Sequence, residues 1–139
     1  MSTVPVSKEK LFNISPCDEI SILLVDDEPA IVEMIKMMLE RIGYRVEAMI
    51  NPVEALKLFR SKPDDFDLVM TDMNMPHFNG GQLAAEIKKI RRDISVILCT
   101  GFIEKINREK ACTGCIDAFL LKPVSMSSLS ERIREVLKR

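Results

Sequence analysis

Histidine is almost absent from this chain of 139 residues, which contains a single one at position 77. Zinc and other transition metals prefer imidazole and thiolate ligands, so this scarcity disfavours a transition-metal site. The formal net charge is only -1, with 20 basic and 21 acidic residues. No basic excess therefore predicts binding to nucleic acid or to an anionic membrane.

Long apolar runs and nucleotide-binding loops are also missing. No run approaches the roughly 20 apolar residues that span a bilayer, and the first twenty residues lack the apolar segment of a signal peptide. The five glycines form neither a Gly-x-x-x-x-Gly-Lys-Ser/Thr loop nor a Gly-x-Gly-x-x-Gly fingerprint. We therefore expect a cytoplasmic protein that is not bound to a membrane. The chain has no loop of its own to hold a nucleotide, so a phosphate group used by this protein would have to come from another molecule.

The four cysteines include one pair, Cys112 and Cys115, with the spacing of a redox or metal motif. Zinc would need two further ligands, and a thioredoxin-like pair should open a helix after a strand. This pair instead falls where a predicted helix ends at Gly114. The spacing alone therefore favours no function.

The length corresponds to one domain, and 47% apolar with 29% charged residues is typical of a globular protein with a buried core. Residues 1–18 carry no clear pattern, so we expect a flexible N-terminal extension followed by one domain over residues 19–139.

Short apolar runs alternate with segments of helical spacing along that domain. This alternation predicts a doubly wound α/β fold, with five parallel strands, five helices and right-handed crossovers. The predicted strands are residues 21–25, 45–50, 68–71, 95–99 and 118–121. The predicted inward positions of the first helix are Ile31, Ile35, Met38 and Ile42, and those of the last are Leu129, Ile133 and Val136. The predicted fourth helix lies around Ile106 and Arg108.

Polar side chains follow four of these strands at the point where each strand ends. Asp26 and Asp27 follow the first, Asp72 the third, Thr100 the fourth and Lys122 the fifth. Ligands of doubly wound sheets bind beyond the carboxyl ends of the strands. We therefore expect these side chains to meet at one edge.

Three carboxylates in one pocket repel one another, so a positive group must accompany them. Oxygen ligands without histidine or cysteine suit Mg²⁺, and Lys122 adds a compact positive charge. With the hydroxyl of Thr100, this set predicts a phosphoryl-transfer site in which Asp72 is the acceptor.

These residues resemble the receiver domains of two-component response regulators over residues 19–139. The matching segments occur in the family's order: Leu24-Val25-Asp26-Asp27-Glu28, Asp72-Met73-Asn74-Met75-Pro76, Thr100-Gly101 and Phe119-Leu120-Leu121-Lys122-Pro123. The resemblance implies a flavodoxin-like fold, with the strands in the order 2-1-3-4-5.

The resemblance also implies a magnesium site. Asp27, Asp72 and the main-chain carbonyl of Asn74 would bind Mg²⁺ directly, and Asp26 would hold it through water. Asp72 would accept a phosphoryl group from the phosphohistidine of a sensor histidine kinase or of a phosphotransfer protein.

A switch completes what the resemblance implies. Lys122 and Thr100 would contact the phosphoryl oxygens, and the shift of Thr100 would draw Phe119 inward. This movement would reshape the face of the fourth helix, fifth strand and fifth helix. A downstream protein target, or a second copy in a homodimer, would recognise that face.

Two alternatives remain open at the level of sequence. A phosphohydrolase would form an aspartyl phosphate and turn it over on small substrates. Such enzymes usually place a second acid two residues after the nucleophile on the first acidic strand, whereas Asp26 and Asp27 are adjacent. An unphosphorylated scaffold would keep the fold without the chemistry, but no acidic residue of the site is lost and Lys122 is present. We therefore expect a signalling module and not an enzyme.

Overall fold

A computed structural model describes residues 20–76, 78–101 and 115–138. The strands are β1 (Ser21–Val25), β2 (Arg45–Met49), β3 (Leu68–Asp72), β4 (Ser95–Thr100) and β5 (Ala118–Leu121). The α-helices of this part of the chain are α1 (Pro29–Ile42), α2 (Pro52–Ser61), α3 (Gly80–Ile90) and α4 (Met126–Leu137). The N-terminal extension and the predicted fourth helix lie outside the described residues. Our α4 is therefore the fifth helix predicted from the sequence.

The five strands form one parallel sheet in the order β2-β1-β3-β4-β5. This confirms the predicted 2-1-3-4-5 order and the doubly wound class. In the register of the sheet, Val25 lies beside Thr71 and Asp72 lies beside Cys99. The carboxyl ends of β1, β3 and β4 consequently lie side by side at one edge.

A hydrophobic cluster covers each face of the sheet. The first cluster packs α1 and α4 against one face, and the second packs α2 and α3 against the other. Both clusters include residues of the central strands that have no measurable exposure, such as Met70 in the first and Val69 in the second. The central strands are therefore buried between two layers of helices, and solvent reaches the sheet only at its edges.

The helix boundaries follow from the capping chemistry. Asn51 accepts hydrogen bonds from the backbone N–H groups of Val53 and Glu54, as its position before Pro52 predicts. Ser125 caps α4 by accepting from the backbone N–H of Ser128. Gly43 ends α1 with a φ of 121°, a conformation that favours glycine.

The inward face of α1 differs from the sequence prediction. Its buried residues are Val32, Ile35 and Leu39, whereas Ile31, Met38 and Ile42 are only partly buried at the margin. Apolar residues cover more than half of the circumference of this helix, so spacing alone could not centre the buried stripe. Met34 and Met37 belong to this apolar surface but are exposed at 38% and 57%.

None of the helices within the described residues is both long enough and apolar enough to cross a bilayer.

Candidate functional site

Three charged residues reach the same side of the sheet because of the two-residue period of a strand. Asp26, Asp72 and Lys122 each stand two positions after a residue of the first hydrophobic cluster, namely Leu24, Met70 and Leu120. Alternate residues of a strand point to the same face. The three charged side chains therefore lie on the face of the sheet that the first cluster covers, at the carboxyl ends of the strands.

Lys122 lies between two of these carboxylates. Its Nζ is 2.7 Å from Oδ1 of Asp72 and 3.0 Å from Oδ2 of Asp26. Asp26 and Asp72 are only 2% and 6% exposed, whereas Asp27 beside them is half-buried. Ligand oxygens of the three aspartates lie within 4.8 Å of one another. The single ammonium group leaves part of this negative charge uncompensated.

The pKa values of Asp72 and Lys122 reflect this excess of negative charge. Burial raises the pKa of Asp72 above its ordinary value of 3.8, and the charge of Asp26 adds to this effect while the hydrogen bond from Lys122 opposes it. Burial alone would lower the pKa of Lys122, but hydrogen bonds to Asp72 and Asp26 outweigh it and raise the pKa above 10.5. The fold thus disfavours the ionised form of Asp72 while it keeps the lysine beside it firmly protonated.

Asp26 is held in place by the backbone around it. Its N–H donates to the carbonyl of Met49 at 3.2 Å, and its Oδ1 accepts from the backbone N–H of Glu28 at 3.0 Å. Its other carboxylate oxygen is the one that contacts Lys122. The turn into α1 therefore fixes the orientation of this acid toward the site.

Backbone hydrogen bonds hold the connection from β3 to α3 next to Asp72. The N–H of Met73 donates to the carbonyl of Cys99 at 2.8 Å, and the N–H of Gly80 donates to the carbonyl of Met73 at 2.9 Å. Asn79 and Gln82 form a reciprocal capping box at the start of α3. These bonds fix the start and the end of the connection.

Gly80 is a position beside the site whose packing role sequence reasoning missed. A Cβ atom there would overlap the main-chain carbonyl of Asp72 and would lie 2.6 Å from Cδ1 of Leu98. The start of α3 can therefore approach Asp72 this closely only because residue 80 has no side chain. The Gly80-Gly81 pair was the available signal, but glycine pairs are also common in loops where no such close approach occurs.

Replacing Gly80 with alanine should move the backbone of Asp72 and destabilise the fold by about 2 kcal/mol, a typical effect of overpacking. Urea unfolding would measure the loss. Gly101→Ala is the control, because a Cβ at Gly101 meets nothing within 4 Å. Equal stability of Gly80→Ala and the wild type would contradict the close approach.

Thr100 and Phe119 lie on the opposite face from Asp72. Thr100 ends β4, is 3% exposed, and its carbonyl accepts from the N–H of Lys122 at 2.8 Å. Phe119 lies beside Leu98 in the register of β4 and β5 and packs, partly buried, against Met73 and Leu98. Leu98 is two residues before Thr100, so Thr100 and Phe119 share one face.

The neighbours of Asp72 along the loop and across the sheet differ in exposure. Asn74 is exposed between the buried Met73 and Met75. His77 lies outside the described residues. Cys99, the neighbour of Asp72 in β4, is buried, and burial raises the pKa of its thiol to about 12. A thiol with that pKa is not a nucleophile at neutral pH.

Cys115, the second cysteine of the C-x-x-C spacing for which the sequence favoured no function, is buried and disulfide-bonded. Cys112 lies outside the described residues.

The fold and the site together define a class of protein: a doubly wound parallel sheet with an acidic pocket at its carboxyl edge and a lysine across it. Residues 22–134 match the response regulator receiver domain. The chain therefore belongs to the receiver domain family of two-component response regulators.

Individual relatives agree with this assignment. A probable transcriptional regulator, ycf27, from Porphyra purpurea is 36% identical over 118 residues, covering 85% of this chain and 47% of that protein. A response regulator receiver domain protein from Clostridium thermocellum is 35% identical, with a TM-score of 0.80 over 86% of this chain and 95% of the other. The response regulator TrrA from Thermotoga maritima, solved in complex with Mg²⁺ and BeF, is 34% identical, with a TM-score of 0.72 over 85% and 99% of the two chains.

The chain spans less than half the length of the curated relatives it resembles, for example 47% of the regulator from Porphyra purpurea and 17% of a rice response regulator. The similarity therefore concerns the receiver domain of those proteins.

Proposed function

We propose that Asp72 accepts a phosphoryl group from a phosphohistidine and that the resulting acyl phosphate changes which proteins this domain binds. The observation that carries the proposal is the contact of one lysine with two buried carboxylates inside a cluster of three. A simple structural ion pair would be neutral, whereas this cluster carries more negative charge than one lysine compensates. The excess negative charge suits a divalent cation, and the lysine offers a positive contact for a phosphoryl oxygen.

The residues present fit a hard divalent cation. Three carboxylates offer oxygen ligands within 4.8 Å of one another, and Mg²⁺ in proteins is held by one or two carboxylates, with water completing its shell. Asp27 and Asp72 would bind the ion directly together with the main-chain carbonyl of Asn74, and Asp26 would act through water. The bound ion would neutralise charge that develops on the phosphoryl oxygens.

The chemical step is an in-line transfer. A carboxylate oxygen of Asp72 forms a bond to phosphorus while the bond from phosphorus to the imidazole nitrogen of the donor breaks. The donor histidine leaves with the electron pair and takes a proton. Lys122 is already 2.7 Å from Oδ1 of Asp72, so its ammonium group can transfer its contact to a phosphoryl oxygen without a large movement.

The structural response would begin at Thr100. Its hydroxyl would turn toward the phosphoryl group, and the space it leaves would allow Phe119 to pack further inward. Support comes from their shared face and from the contact of Phe119 with Leu98 and Met73. The altered surface would include β5 and α4, where a downstream protein, or a second copy in a homodimer, would bind.

A sensor histidine kinase or a phosphotransfer protein is the proposed donor. We propose no nucleic-acid partner and no turnover on small substrates beyond slow hydrolysis of the acyl phosphate. The cytoplasmic location expected from the sequence stays a prediction.

Incubating the protein with Mg²⁺ and acetyl phosphate tests this function. Mass spectrometry of the intact chain should find one phosphoryl group per chain, and EDTA should prevent its addition. Phosphate release far above one equivalent per chain would instead support the phosphohydrolase. If circular dichroism shows that the protein is folded and neither labelling nor phosphate release occurs, the proposal is wrong.

A further inference from the structure

A fully buried hydroxyl group stands next to the proposed phosphoacceptor and takes no part in the chemistry described above. Thr71 has no measurable exposure, and its side chain shares a face of the sheet with Val69, opposite the face of the Asp72 side chain. Its neighbours in the adjacent strands, Val25 and Leu98, are apolar and fully buried. Valine has nearly the shape of threonine and is equally suited to a strand. Packing alone therefore does not explain a hydroxyl group at this position.

The hydroxyl of Thr71 holds the main chain at the phosphoacceptor. It donates a hydrogen bond to the carbonyl of Asp72, with 3.1 Å between the two oxygens. The N–H of the same peptide group, which belongs to Met73, donates to the carbonyl of Cys99 at 2.8 Å. Gly80 packs against the carbonyl of Asp72 so closely that a Cβ atom would overlap it. This peptide group cannot rotate without breaking a buried hydrogen bond, which costs more than breaking an exposed one.

We propose, on the basis of the function proposed above, that Thr71 is a positioning residue for phosphoryl transfer to Asp72. The peptide plane that its hydroxyl holds fixes the main chain from which the carboxylate of Asp72 reaches Lys122, 2.7 Å away. The same plane begins the connection that leads, two residues later, to Asn74, whose carbonyl is proposed to bind Mg²⁺. Rotation of the plane would displace both groups together, and small misplacements of reacting groups slow a reaction strongly.

Two substitutions of Thr71 separate this role from a purely structural one. Both should lower the urea midpoint: Thr71→Val because the carbonyl of Asp72 loses a buried donor, and Thr71→Ser because a buried methyl group is lost. Only Thr71→Val should slow labelling by acetyl phosphate in the presence of Mg²⁺, by about fivefold, which is the effect of one typical hydrogen bond. Thr71→Ser keeps the hydroxyl and should be labelled at the wild-type rate.

Hydrogen exchange of the Met73 amide gives a second measurement that does not require phosphorylation. In Thr71→Val this amide should exchange about fivefold faster than in Thr71→Ser, because its peptide group has lost the hydrogen bond at its carbonyl. The comparison with the serine variant removes the part of the change that comes from lower overall stability.

Ser95→Ala is the matched control for a lost buried hydroxyl group. Ser95 is 9% exposed, and its hydroxyl contacts the carbonyl of Val136 at the amino end of β4, away from the site. Its replacement should lower the urea midpoint and leave the labelling rate unchanged.

The possible results distinguish this role from the function on which it rests. If the wild type is labelled and Thr71→Val is labelled equally fast, or if all three variants are slowed alike, Thr71 does not position Asp72. Equal exchange of the Met73 amide in the valine and serine variants also overturns the role, because the hydroxyl then does not hold the peptide plane. A folded wild type that takes up no phosphoryl group overturns the proposed function, and the role of Thr71 with it.

Discussion

Replacing Asp72 with asparagine should abolish phosphorylation and, in metal-free buffer at pH 7, make the protein more stable. The first effect follows because an amide is not a nucleophile toward phosphorus, so labelling by acetyl phosphate should fall at least about 100-fold. The second follows because burial raises the pKa of Asp72, which means that the fold disfavours its ionised form. Asparagine has the shape of the carboxyl group without its charge. Lys122 keeps its contact with Asp26.

The stabilisation should depend on pH in a defined direction. A carboxyl group whose pKa is raised by folding destabilises the fold fully above its folded pKa, and this effect disappears as the pH falls toward 3.8. The advantage of Asp72→Asn should therefore be largest near neutral pH and should shrink in acid. Saturating Mg²⁺ should reverse the order, because the wild type keeps one more ligand and gains more from binding.

Urea unfolding with and without Mg²⁺ measures these changes. Asp93→Asn is the control, because Asp93 is an exposed aspartate that precedes the amino end of β4 and pairs with Arg91, away from the site. A less stable Asp72→Asn variant in metal-free buffer at pH 7 would show that Lys122 outweighs burial at this position. Labelling that persists in the variant would place the phosphoacceptor elsewhere.

The position of the site could be predicted because it depends on two local rules. The end of each strand is visible as the end of an apolar run, and parallel strands bring such ends to one edge. These rules group Asp26, Asp72 and Lys122 from the sequence alone, although the outer two are 96 positions apart. Their contact through Lys122 Nζ confirms that grouping.

Other features depend on contacts that no local pattern reveals. The need for glycine at position 80 comes from the carbonyl of Asp72 and from Leu98, which approach it only in the folded chain. The ion pair between Lys88 and Asp117 joins the end of α3 to the start of β5 across 29 positions. The buried stripe of α1 lies to one side of the predicted one because isoleucine and methionine extend the apolar surface of the helix beyond the residues that are buried.

Lys122→Met should have the opposite effect to Asp72→Asn on stability. Methionine fills similar space but leaves Asp26 and Asp72 as buried carboxylates without their cation. Breaking a buried ion pair from one side typically destabilises a protein by about 3 kcal/mol. Mg²⁺ should restore much of this loss, because the ion neutralises the same oxygens. Labelling by acetyl phosphate should still fall about 100-fold, the usual effect of removing one group that stabilises developing charge.

The pH dependence of this loss follows from the charges that remain. Folding raises the pKa of Lys122, so its stabilising effect is fully present below 10.5 and is lost as the pH rises through the folded value. The deficit of Lys122→Met should be largest near neutral pH and should diminish in acid as the carboxylates of the site take up protons. Urea midpoints measured across this range check the prediction.

Lys88→Met provides a matched control for Lys122→Met. Lys88 is also a largely buried lysine, 14% exposed and 3.0 Å from a carboxylate oxygen of Asp117. Its replacement should destabilise the fold, but Mg²⁺ should not restore that loss and labelling should be unchanged. If Mg²⁺ rescued both variants equally, it would be acting on the fold in general. Rescue of Lys122→Met alone would show that the cation and this lysine neutralise the same negative charge of the buried carboxylates.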